Sequence, residues 1–262
     1  MNPRAAMSVL LLLIAGCASG GLATRTPGRH VLLLSSLAAE DAESLCREAD
    51  AVADDMAALL CLPPPERPLQ IHLFPNSRAA RRHLERHCPE RARARAVAFT
   101  QGGSIHVVLS GPLRREDALR YMRHEIAHSV IMSHFIEVPP WMHEGLALYF
   151  ESGPPHGTPR ADGVLRELRK PLRTDAAGLL RRTVSVPCGA RPRRDEYAAS
   201  WALVHFLLAG DDGPALVTRY LEEVDSRRNA GEQFAEVFGR TPDALAPDWR
   251  TYVSALIDGG IR

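Results

Sequence analysis

Residues 118–134 run without glycine or proline and carry Leu119, Met122, Ile126, Ala127, Val130 and Ile131 at helical spacing, which predicts one uninterrupted helix. Inside it stands His124-Glu125-Ile126-Ala127-His128. A residue advances about 100° along a helix, so the two histidines share a face one turn apart, where both imidazoles can reach one ion. Glu125 points about 100° away from His124, beside such an ion rather than onto it. A carboxylate there can take a proton from zinc-bound water, whose pKa the metal lowers to about 7.

A third ligand has two candidates. The spacing His124, His128, His134 matches the three-histidine pattern of metzincin peptidases. That pattern needs a glycine midway, where the chain reverses in a conformation costly for other residues. The position is held here by Ile131, which is β-branched. If the helix runs on, His134 lies about 240° around from His128 and faces elsewhere. Glu144 has the better case. Val138-Pro139-Pro140 breaks the helix, and Pro140 suits the first turn of a second one over residues 141–151. Two antiparallel helices so joined bring Glu144 back over the first, giving two histidines, a glutamate and an open position. His143, about 100° from Glu144, reads as a residue of the pocket rim or one that supports a ligand from behind, and as a lesser candidate ligand.

His-Glu-Ile-Ala-His followed by Pro-Pro-Trp-Met-His-Glu-Gly-Leu-Ala-Leu-Tyr-Phe-Glu resembles the gluzincin branch of zinc metallopeptidases, specifically the peptidase MA-like families. The resemblance spans roughly residues 69–257, with its strong motifs between 121 and 151. It implies zinc (Zn2+) on His124, His128 and Glu144, with Glu125 as general base. It also implies that Tyr197 donates to the oxyanion, as a tyrosine often does in gluzincin aminopeptidases. Three positions depart from the pattern. His143 replaces the usual asparagine, Leu148 replaces a polar residue available to orient a ligand histidine, and no Gly-x-Met-Glu-Asn segment precedes the helix.

The amino terminus bears on location. Arg4 is followed by a short apolar run ending Leu13-Ile14-Ala15-Gly16-Cys17, which has the form of a signal peptide with a lipobox and is too short to span a bilayer. Cleavage before Cys17 and acylation of its thiol would leave the chain hanging from a membrane. Ala18 after the cysteine resembles an outer-membrane sorting signal of bacterial lipoproteins, which implies the periplasmic face of the cell envelope. Arg4 is the one charged residue that cleavage removes, so the net charge of +1 falls to zero, which argues against nucleic acid as a partner. Arg91, Arg93 and Arg95, set among alanines, read as a solvated face. Cys46, Cys61, Cys88 and Cys188 allow two disulfides in three connectivities, or free thiols. Cys46 and Cys61 lie about 22 Å apart if one helix joins them, too far to pair.

The expected fold is α+β and zincin-like, a small mixed sheet packed on helices, including the helix of the histidine pair, followed by a mainly helical C-terminal part. Residues 1–16 form the signal peptide, 17–29 a tether, 30–151 the α/β part with the site, 152–196 a loop-rich segment and 197–262 the helical part. Strands are predicted at 30–34 and 69–74 and helices at 38–62 and 77–87, with a hairpin over 97–100 and 104–109 turning at Gln101-Gly102-Gly103. In zincins an edge strand before the zinc helix pairs with extended substrate, and residues 105–109 are the candidate. Short helices are predicted at 163–170 and 175–182, and three or four over 197–257. The expected function is zinc-dependent hydrolysis of peptides or proteins by a membrane-anchored extracytoplasmic enzyme. The alternative is a catalytically weak or inactive zincin-fold lipoprotein that binds cell-envelope partners.

Overall fold

The computed structural model describes residues 22–153, 156 and 164–259. The expected signal peptide and the expected lipidation site Cys17 lie outside the described residues. In chain order come strand β1 (Thr24–Pro27), strand β2 (Val31–Ser35), helix α1 (Ala39–Leu59), strand β3 (Leu69–Phe74) and helix α2 (Ser77–His87). A 3-10 turn (Pro89–Arg91) leads into strands β4 (Ala96–Gln101) and β5 (Ser104–Ser110), then helices α3 (Arg115–His134) and α4 (Pro140–Glu151). The helical remainder is α5 (Val164–Thr174), α6 (Ala176–Val184), α7 (Arg194–Leu208), α8 (Gly213–Glu223), α9 (Ala230–Phe238) and α10 (Pro242–Ile257). The result is a mixed five-stranded sheet in the order β1-β2-β3-β5-β4 with helices on both faces and a helical C-terminal part, as the sequence predicts.

Alternation along the inner strands explains the layering. Leu69 and Ile71 of β3 and Val107 and Leu109 of β5 face the main core with Met122, Ile126 and Val130 of α3. Phe74 and Val108 face the other way, against Ala79, Ala80 and Leu84 of α2. Asn76 caps α2 by accepting from the Ala79 amide. The β4–β5 turn is possible because Gly102 and Gly103 adopt φ of 58° and 73°.

Two expectations are corrected. Residues 17–29 are not all tether, since Thr24–Pro27 pairs antiparallel with β2 from Thr24↔Ser35 to Pro27↔Leu32. The Asp50 carboxylate of α1 accepts from the Arg29 and His30 amides and pins the reversal between the strands. The edge strand before α3 is β4, not residues 105–109. β5 pairs parallel with β3 on one side and antiparallel with β4 on the other, so it is internal.

The C-terminal helices share the main core. Trp141 of α4, Tyr220 of α8, Phe234 of α9 and Trp249 of α10 are fully buried together with the sheet-facing residues. Gly145 lets α4 approach α7 closely, because a Cβ there would lie 2.5 Å from Val204 Cγ2 and 2.6 Å from the Ser200 carbonyl oxygen. This contact holds the residue next to Glu144 in place.

A histidine cluster lies between the sheet and α2. His72 Nε2 is 3.1 Å from His106 Nδ1, and the His83 ring is 4.9 Å from that of His72 and 4.5 Å from that of His87. Burial, then the neighbouring histidines, lower the pKa of His72 to about 3 and that of His83 to about 4 from an ordinary 6.5. These rings are neutral in the fold, while the unfolded chain takes up protons near pH 6.5. The stability they contribute is therefore complete above that pH and is lost as pH falls from 6.5 toward 3. Tm is expected to fall over that window, and His83→Gln to flatten the slope between pH 6.5 and 4. An unchanged slope would remove the cluster from the account.

Candidate metal centre

Helix α3 continues through Ile131 to His134, so the chain does not reverse there. The His134 ring is 2.8 Å from the Pro63 carbonyl, to which it donates, and it takes no part in the site. The reversal comes at residues 135–139. Phe135 is extended, and Pro140 opens α4, which packs antiparallel against α3. His124 and His128 then meet Glu144.

The His124 and His128 Nε2 atoms are 3.0 Å apart, and Glu144 Oε2 is 3.8 Å from each. Tetrahedral zinc with ligands at about 2.1 Å separates its ligand atoms by about 3.4 Å, between these two values. Among the described residues this is the group of His, Cys, Asp and Glu side chains whose ligand atoms gather within 4.8 Å of one another. The donor set of two imidazoles and a carboxylate fits a divalent ion such as zinc. His128 suits that role. Burial, then the charges of His143 and His124, hold its pKa well below the ordinary value, so it stays neutral.

The partner that orients His124 comes from a position the sequence reading passed over. Its Nδ1 lies 3.0 Å from Glu151 Oε2, whose other oxygen accepts from Arg120 at 2.9 Å. Donation to Glu151 leaves the Nε2 lone pair directed at the ion position. The hydrogen bond to Glu151 and the surrounding carboxylates raise the His124 pKa, outweighing the larger single effect of burial, which lowers it. Leu148 is core, so the absence of a polar residue there leaves no gap. Glu151 does the same work one turn further along. The signal was present: Glu151 stands seven residues after Glu144, two turns along the same face of an otherwise apolar helix. Glu151→Gln is expected to weaken metal affinity by about 10- to 100-fold with the fold retained, measured by competition against a chelator of known affinity. Unchanged affinity would deny Glu151 that role.

Glu125 is buried, 7% exposed. Burial raises its pKa to about 7, with Glu144 adding to the rise and His124, the Ala98 amide of β4 and Arg91 opposing it. A dication alongside would draw the value back down. Burial likewise raises Glu144. The His143 ring stacks on that of His128 at 4.1 Å between centroids and 17° between planes, and burial lowers its pKa to about 4. His143, Glu144 and Tyr197 line a cleft of about 330 Å³. Residues 189–192, from the segment expected to be loop-rich, and Arg91 of the 3-10 turn belong to the same lining.

The cysteines take no part in this site. Cys46 and Cys88 are buried, Cys61 and Cys188 are exposed, and all four are free thiols.

No protein-family model matches the chain, and no curated protein matches it.

Proposed function

We propose that this protein hydrolyses peptide bonds as a zinc metallopeptidase of gluzincin type, with zinc held by His124, His128 and Glu144. The observation that carries the reading is the convergence of those three side chains with Glu125 buried beside them. A pure binding module has no need of a carboxylate in that place. Zinc, when bound, supplies a Lewis acid for the scissile carbonyl and a water acidic enough to be deprotonated near neutral pH.

The chain's own residues do the rest. Glu125 takes the proton from water and returns one to the leaving amine. Glu151 and Arg120 hold His124 in one tautomer. Tyr197 and His143, on the cleft wall, are the groups able to steady the oxyanion. β4 is a sheet edge whose Ala98 amide reaches Glu125, so an extended peptide could add to it as a further strand. The non-catalytic envelope-binding reading drew on Leu148, and Glu151 removes that ground.

Metal analysis of the purified protein, followed by a peptide-library digest with and without chelator, tests the proposal. Folded protein that takes up no metal, or metal-loaded protein that cleaves nothing, would sink it.

Lipid anchoring at Cys17, on the periplasmic face of an outer membrane, is the location we propose with it. Among the described residues no helix is long and apolar enough to cross a membrane. Cell fractionation of Cys17→Ser tests the anchor: the variant should leave the membrane fraction, and retention there would exclude it.

A further inference from the structure

Two arginines line the cleft with no hydrogen-bond or ion-pair partner among the described residues. Arg91, at the end of the 3-10 turn, and Arg191 line the same hollow as His143, Glu144 and Tyr197. Both are exposed. Neither guanidinium has a hydrogen-bond or ion-pair partner among the described residues, which is also true of Arg93 and Arg95, but Arg91 and Arg191 share the lining of the cleft. Arg91 is close enough to act through space on Glu125, His128 and Glu144. Arg91 is solvated, as expected, and it also lines the cleft.

Charge balance gives the position a meaning. Glu125, Glu144 and Glu151 lie near one paired cation, Arg120, which also meets Asp117, and a bound divalent ion would offset most of the negative charge that remains. Arg91 and Arg191 add two positive charges to the lining of the cleft, which also holds Glu144. A guanidinium offers a planar fork of donors that matches a carboxylate, and the cleft lining carries two.

We infer that Arg91 and Arg191 form a carboxylate-binding subsite, so that the preferred substrate is a peptide carrying a carboxylate close to the scissile bond. The inference rests on the metallopeptidase reading for its substrate class. The carboxylate has two sources, an acidic side chain or the free C-terminus of the peptide. The first makes the enzyme an endopeptidase selective for acidic sequences, and the second makes it trim chain ends.

The test is binding to the full-length, zinc-loaded Glu125→Gln protein, measured by fluorescence anisotropy with one labelled hexapeptide in three forms. One has an internal Gln and an amidated terminus, one an internal Glu and an amidated terminus, and one an internal Gln and a free terminal carboxylate. At least one charged form should bind about tenfold more tightly than the neutral form. That preference should shrink as salt rises from about 0.05 to about 0.5 M. Arg91→Gln with Arg191→Gln, both at exposed positions, should bring the ratio to about one. Which charged form wins identifies the source of the carboxylate. Equal binding of all three, a preference that survives the double substitution, or no binding at all would overturn the subsite. Wild-type cleavage of the neutral peptide library is scored in parallel. Absent cleavage with an intact Arg-dependent preference refutes hydrolysis and leaves the subsite standing, while cleavage without the preference does the reverse.

Discussion

A Glu125→Gln protein is expected to keep its metal and lose hydrolysis by as much as about 10⁴-fold, the upper range for a positioned general base. The substitution is nearly isosteric, and the glutamine carbonyl can still accept from the Ala98 amide that Glu125 engages on β4. What disappears is the capacity to receive a proton. Glu125 projects away from the face that His124 and His128 share, so metal stoichiometry should not change. The side chain is 7% exposed and its pKa is raised by burial, which marks a carboxylate with little water of its own and a strong gain from taking a proton. kcat/KM on a cleaved peptide, with zinc content of the same sample, decides the matter. Undiminished turnover would remove Glu125 from the mechanism, and a loss of zinc in parallel would make it a ligand instead.

The second large effect is on the ion. His128→Ala and Glu144→Gln are each expected to reduce bound zinc to a small fraction of an equivalent, while His134→Ala retains a full one. The contrast follows from geometry, because His134 is spent on the Pro63 carbonyl and the other two side chains converge on the His124 Nε2. Stability should report the same event. Zinc at about 100 times its Kd stabilises the folded state by about 2.7 kcal/mol. In a chain of this size that is a rise in Tm of roughly 5 to 10 °C. The rise should be absent in His128→Ala and present in His134→Ala. A His128→Ala protein that still gains Tm from zinc would place the ion elsewhere.

Much of the site was legible because its logic is local. Helical periodicity puts His124 and His128 on one face whatever surrounds them, and Pro139-Pro140 enforces a break before Glu144. Ile131 argued against the reversal that would have recruited His134, and α3 does run straight past it. The hairpin at Gly102-Gly103 and the cap at Asn76 were readable for the same reason, since turn chemistry is written in adjacent residues.

The parts that escaped are those where distant residues meet. β1 has no apolar alternation to announce it and exists because β2 offers it an edge and Asp50 holds the turn. Whether β4 or β5 lies at the border depends on β3 claiming one side of β5, a pairing between segments that α2 separates. Glu151 reaches His124 because Gly145 lets α4 settle closely on α7 while packed against α3.

By itself, then, the sequence determined the chemistry on offer: two imidazoles one turn apart, a carboxylate beside them, and a second helix able to bring Glu144. Only the tertiary structure decided which carboxylate orients His124, which strand forms the sheet edge, and that Arg91 lines the cleft. The physical reason is that covalent spacing and helical pitch act over a few residues. Pairing of buried charges and closure of a sheet are settled by the packing of elements far apart in the chain.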